Sequence, residues 1–244
     1  MLVKFKRSRS HDEDRRLALW LATAAGLLNA MALGAFGFFP SHMSGNTSQL
    51  SSEVSTTDIR NIIFFGTIII AFVFGSVVSR LLVIWGQIKN VRTVFCQVLM
   101  LEGLALIGIS LYEIYSHTPT SNREIIVLLC FLMGVHNSTS SQLSNGRVRS
   151  THITGTLTDA GIAFASVLAA MLRRDFSRDS EGQKSQLLTH TITISSFLTG
   201  GIAGLVLFQW LAFKAITGVG VMLICVALGS IISIKRRVRS RAQQ

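Results

Sequence analysis

The sequence predicts an all-α fold: a polytopic membrane helix bundle of about six transmembrane helices in two inverted three-span repeats. Each repeat is expected to carry a short broken or re-entrant helix. Three observations lead there. The first is composition: 49% of the 244 residues are hydrophobic, 14% are charged and two are proline. Residues 17–39, 61–79 and 125–145 carry no Asp, Glu, Lys or Arg, and Lys214 is the one charge within 190–233. A helix needs roughly 20 such residues to cross a hydrocarbon core of about 30 Å. The second is a duplication. Gly26-Leu27-Leu28-Asn29 followed by Ser41-His42-Met43-Ser44-Gly45-Asn46-Thr47-Ser48 returns as Gly134-Val135-His136-Asn137 followed by Thr151-His152-Ile153-Thr154-Gly155-Thr156-Leu157-Thr158. A second anchor follows each copy: residues 71–79 align without gaps on 196–204. The third is the distribution of a net charge of +11, which gathers beside the apolar runs.

In chain order, residues 1–16 form a basic segment with Lys4, Lys6, Arg7, Arg9, Arg15 and Arg16. The apolar stretch from Leu17 is too long for a secretory signal and lacks a convincing small-residue cleavage site, so it reads as a retained first span over 17–38. Residues 44–55 are too short and polar to cross. Spans follow at 61–82 and at 93–115, the latter interrupted by Glu102 and Glu113. These complete a first membrane repeat over 17–115. The second repeat, 124–234, contains spans at 124–143, 190–210 and 214–234, and a basic tail occupies 235–244.

The segment 154–172 is long enough to cross, and charge decides against it. If it crossed, the 173–184 linker with Arg173, Arg174, Arg178 and Lys184 would face away from Arg147 and Arg149. If it re-enters or lies along the interface, both termini, Arg80/Lys89/Arg92, Arg147/Arg149 and the linker share one side. The positive-inside rule makes that side cytoplasmic, leaving Arg60, Arg123 and Lys214 outside. The expected setting is a multi-pass cell-membrane protein with both termini cytoplasmic, its basic clusters attracted to anionic headgroups. No stacking aromatics are interleaved with those clusters, so nucleic acid is not the expected partner. Cys96, Cys130 and Cys225 form no close-spaced pair and suggest neither a disulfide framework nor a thiolate metal site.

Three spans per half is an odd number, so the halves would have opposite orientation. Transporters and channels use such inverted repeats with broken helices to build a midplane site. Ser44 and Thr154 stand where N-cap residues would, ahead of Gly45 and Gly155. The starts of the short helices would then bring positive dipole ends together.

At these residues the chain resembles the YoaK-like family of bacterial integral membrane proteins of unknown function. The resemblance rests on Gly26/Asn29/Ala30, Ser41-His42-Met43-Ser44-Gly45-Asn46-Thr47, Gly134/Asn137 and Thr154-Gly155-Thr156-Leu157-Thr158, and covers about residues 15–235. It implies a six-span membrane protein and supplies no activity. Asn29 departs from the family pattern, which commonly has an acidic residue there.

Nine residues are expected to line a solute route: Asn29, His42, Ser44, Asn46, His136, Asn137, His152, Thr154 and Thr156. The run 136–142 can hydrogen-bond at every position and would be costly against lipid. The paired histidines could contact solute, shuttle a proton or fix the loop backbone. Two histidines without a further ligand nearby are too few for a metal site, and no cofactor is implied. Asn29 and Asn137 could equally be interhelical hydrogen-bond glue. Glu102 and Asp159 are coupling candidates because intramembrane carboxylates are costly. Glu102 could instead be ion-paired, and Asp159 could complement its helix start. His11, His117 and His190 sit at segment ends. There is no nucleotide loop, Gly-x-Ser-x-Gly elbow or His-Glu-x-x-His. The expected function is transport or channel-like passage of a small polar or anionic solute. A non-transporting scaffold or accessory subunit is the alternative, and an intramembrane transferase a more distant one.

Overall fold

The computed structural model describes residues 11–91, 93–116, 122–173 and 178–242. Among these every regular element is an α-helix: α1 His11–Phe36, α2 Met43–Thr56, α3 Ile59–Ile88, α4 Val94–Ser116, α5 Arg123–Ser144, α6 Ile153–Leu172, α7 Arg178–Leu211 and α8 Lys214–Ala242. The basic residues at 4–9, Arg92, Arg174 and His117 lie outside the described residues.

Seven of the eight helices are long and apolar enough to cross a membrane, one more than the expected spans. The additional one is α6, an unbroken helix of 20 residues. α2 is the exception, with 14 mostly polar residues. α7 also begins earlier than the expected 190. Its polar first turns carry the Lys184–Glu181 pair at 3.0 Å and no proline, so helix extends through what looked like a linker.

Packing pairs α1 with α7, α3 with α5, and α4 with α8. The directions follow from the contacts. Gly200 meets the backbone of Thr23, Gly204 that of Leu27, and Phe208 covers Gly34, so α1 and α7 run parallel. Arg123 bonds Asn61 (2.9 Å), Ser76 bonds the Gly134 carbonyl (3.1 Å) and Arg80 bonds Gln142 (3.1 Å), so α3 and α5 are parallel too. Ser110 reaches the Phe213 carbonyl (2.6 Å) while Gly103 meets Gly220, which makes α4 and α8 antiparallel. The buried Asp14 carboxylate accepts from Arg147 Nε at 2.6 Å, tying the start of α1 to the segment after α5. One end of the bundle therefore gathers the start of α1, the ends of α3 and α5, and the start of α7. It holds Arg80, Lys89 and Arg147.

Small residues set these pairings. A Cβ at Gly26 would strike the Phe197 carbonyl, and one at Gly134 the Phe72 carbonyl, so both crossings bring backbone against backbone. α1 contributes Leu17, Leu21, Leu28 and Met31 to the main core with Leu99, Leu106, Met133 and Leu223. α3 and α7 are peripheral and expose apolar faces, including Ile70, Phe74, Leu198 and Ile202. Trp85 near one end, with Trp210, Tyr112 and Tyr115 near the other, are also exposed, the distribution of an interfacial aromatic belt. These are the features of a multi-pass integral membrane protein.

Candidate functional site

Both His-containing segments fold back along the helix that precedes them. After α1 the chain turns at Gly37, whose φ of +65° suits glycine. Asn29, seven residues before the end of α1, then accepts from Ser41 N (3.1 Å) and Ser41 Oγ (2.8 Å). After α5 the chain reverses at Asn145 (φ 54°) and Gly146 (φ 83°). Ser144 Oγ accepts from Val148 N (2.8 Å), and Ser140 Oγ accepts from Ser150 N (3.3 Å) and bonds Ser150 Oγ (3.1 Å). Asn137 lies seven residues before the end of α5. Seven residues of helix is about 10 Å, the depth at which Ser41 meets Asn29, while Ser150 meets Ser140 four residues, or about 6 Å, before the end of α5.

The short helices start two residues earlier than expected. His42 (φ −85°, ψ 61°) and His152 (φ −89°, ψ 63°) are the N-caps, and neither makes a side-chain capping bond. Their carbonyls accept from Asn46 N (3.0 Å) and Thr156 N (3.1 Å). Ser44 and Thr154 thus fall inside the first turn and are not caps. The cause is the imidazole: each ring lies over the glycine three residues on, and a Cβ at Gly45 or Gly155 would collide with it. A ring so placed holds the turn closed without a hydroxyl cap.

The two segments meet. A cavity of about 640 Å³ is lined by Asn29, Ser41, His42, Ser44, Asn137, Ser141, Arg149, Thr151, His152 and Thr154, with Phe39, Phe72 and Phe197 among its apolar walls. Six of the nine expected residues are on this lining. Asn46, Thr156 and His136 are not. Asn46 and Thr156 are buried in the first turn of α2 and α6, and Asn46 Nδ2 has no partner. Arg149 was read only as a topology charge; its position one turn back from His152 was the available signal.

His136 is fully buried and turned away from the cavity. Its Nε2 donates to the Leu21 carbonyl (2.9 Å), which fixes a proton on that nitrogen, while Nδ1 meets Glu102 Oε1 at 2.7 Å. The second proton is shared between Nδ1 and the carboxylate, whether the pair is written as ionic or neutral. Glu102 is thus hydrogen-bonded to His136 in the core, and its Oε2 has no hydrogen-bond partner among the described residues. Asp159 is exposed on α6, off the cavity lining. Among the described residues, no group of three or more His, Cys, Asp or Glu could hold a metal ion.

The model of a family described as "Protein of unknown function (DUF1275)" matches residues 17–229. The chain belongs to this family. The DUF1275 match spans both His-containing segments, and the family carries no assigned activity, as the resemblance implied. No curated protein matches this DUF1275 chain. No solved structure matches it either. Its cavity must therefore be read from its own chemistry: hydrogen-bond donors, two imidazoles and a guanidinium, held between apolar walls.

Proposed function

We propose that this chain passes a small polar solute across the cell membrane through the cavity between the starts of α2 and α6. It does so as two inverted membrane repeats, 17–115 and 124–234. The observation that carries the reading is the convergence of two matching segments 110 residues apart on one cavity, each reaching it from an opposite end of the bundle.

Six crossings fit this reading better than seven. α7 runs parallel to α1 and so starts at the basic end, where α5 finishes. Had α6 crossed, α7 would start at the far end and run the other way. α6 instead leads from the cavity back to the basic end along α7, as α2 leads to the opposite end along α3. The packing supports the repeat in the same way. α1–α7 and α3–α5 are equivalent pairs, and Gly26 on Phe197 corresponds to Gly134 on Phe72. With the basic end cytoplasmic, both termini lie inside and the anionic headgroups face it.

Irregular backbone inside the hydrocarbon region must be buried in protein or line water. A cavity at that depth is what a transporter needs and a scaffold does not. The test is side-specific access. Single cysteines at Ser44 and Thr154 are probed with a small impermeant maleimide in right-side-out and inverted vesicles. Transport requires labelling of the same position from each side as the protein alternates. Labelling from neither side would leave the scaffold reading.

A further inference from the structure

We infer that the solute is a small free anion, held by Arg149 between the starts of α2 and α6. This rests on the transport reading above and adds the charge of what is carried. Among the described residues, Arg149 is the only Lys or Arg on the cavity lining, and no Asp or Glu is on it. The guanidinium has no ion-pair or side-chain hydrogen-bond partner among the described residues, unlike Arg147 two residues earlier, which is bonded to Asp14. Arg149 is exposed, and an unopposed cation on the lining raises the local concentration of counter-ions.

A second observation comes from the opposite wall. Asn29 is more than nine-tenths buried, at 8% exposure. Ser41 N can only donate, so the oxygen of the Asn29 carboxamide is identified by its bonds and is saturated by Ser41. What remains is Nδ2, two N–H donors with no acceptor among the described residues. A carboxylate at this position would repel an anion; the amide offers it donors.

The helix starts add to both. Neither α2 nor α6 has a side-chain cap; Met43 N donates to the Ser41 carbonyl (3.0 Å), and the N–H groups that follow it in the first turn are left for a ligand. Each start carries roughly half a positive charge. One feature runs the other way: Asn137 Oδ1 is buried without a partner. Guanidinium, amide N–H and helix starts form a set suited to oxygen-bearing anions such as phosphate, sulfate or a carboxylate.

The test uses the full chain with Cys225→Ala, since Cys96 and Cys130 are buried. A cysteine is placed at Ser44 or at Thr154. Rates with anionic sulfonatoethyl, cationic trimethylammonioethyl and neutral methyl methanethiosulfonates are compared with those of free cysteine. The anionic-to-cationic ratio is expected to exceed that of free cysteine by about tenfold or more. Arg149→Gln should remove most of the excess and Arg149→Lys should retain it. Added sulfate or phosphate should slow the anionic reagent in neutral detergent and in phosphatidylglycerol nanodiscs alike.

If the neutral reagent enters but the charge preference is absent, or survives Arg149→Gln, the anion inference fails and transport stands. If the neutral reagent reacts at neither position, the cavity is dry and both readings fall. If labelling is blocked in phosphatidylglycerol nanodiscs and free in detergent, the anion is a lipid headgroup, and the free-solute inference is overturned.

Discussion

His42 and His152 act on the backbone before they act on any solute. Each ring occupies the space a Cβ would need at Gly45 or Gly155. Gly45→Ala is expected to destabilise by about 1–3 kcal/mol through overpacking. In a His42→Ala background the sign should reverse, because alanine favours a helix over glycine by up to about 1 kcal/mol. Thermal unfolding of the four proteins in detergent measures the cycle. An equal cost in both backgrounds would show that something other than the ring excludes the Cβ. This scale was only partly legible in the sequence. The polar run 136–142 signalled a non-lipid environment but not its phase. The helix divides it: His136, Thr139 and Ser140 are buried, Asn137 and Ser141 face the cavity, and Ser138 and Gln142 reach α3. Seven polar residues in succession contain no periodicity from which to read that division.

At the scale of elements, glycines decide which helices touch. Gly26, Gly134, Gly75 and Gly200 each sit against a backbone carbonyl of the partner helix, whereas Gly66 and Gly108 have open space. Gly26→Ala and Gly134→Ala should each cost about 1–3 kcal/mol. Gly66→Ala and Gly108→Ala should be neutral or gain up to about 1 kcal/mol. Melting temperatures of the four variants test the contrast, and similar shifts for all would refute it. Within the aligned anchors 71–79 and 196–204, the i, i+4 spacing of Ala71/Gly75/Ser79 and of Ser196/Gly200/Gly204 makes each a small-residue face recognisable from sequence. Their partners are not, because spacing shows that a face is narrow but not which helix lies on it. The first turns of α7 were missed for another reason: polarity there was read as linker, although residues 181–189 contain neither proline nor a turn cluster.

For the whole molecule, hydropathy and topology answer different questions. Seven helices pass on length and composition, yet the parallel pairing of α1 with α7 supports six crossings. Ser55 near the end of α2 and Ser185 in the first turns of α7 then lie on opposite sides. With single cysteines at each, an impermeant maleimide added to intact cells should label 55 and spare 185. Outside labelling at 185 would refute the inverted arrangement. The charge pattern points the same way, because the basic loops share a side only if 154–172 returns. Charge could not show the depth of the two loops. That depends on Ser41 reaching Asn29 and Ser150 reaching Ser140, contacts invisible to any count of residues.

The exchanged pairing also constrains how the protein is made. α1 leaves the ribosome first, yet the helix that covers it, α7, is separated from it by more than half the chain. Until then the Gly26 face has no partner, and the equivalent face of α3 waits for α5. A single break between α4 and α5 would leave two fragments, neither holding the mate of its own longest contact. Produced separately, each should be degraded or aggregate. Produced together, they should assemble into a stable complex that co-purifies, because no such pair depends on the continuity of the chain at that point. Failure of the co-produced fragments to co-purify would refute this reading of the pairing.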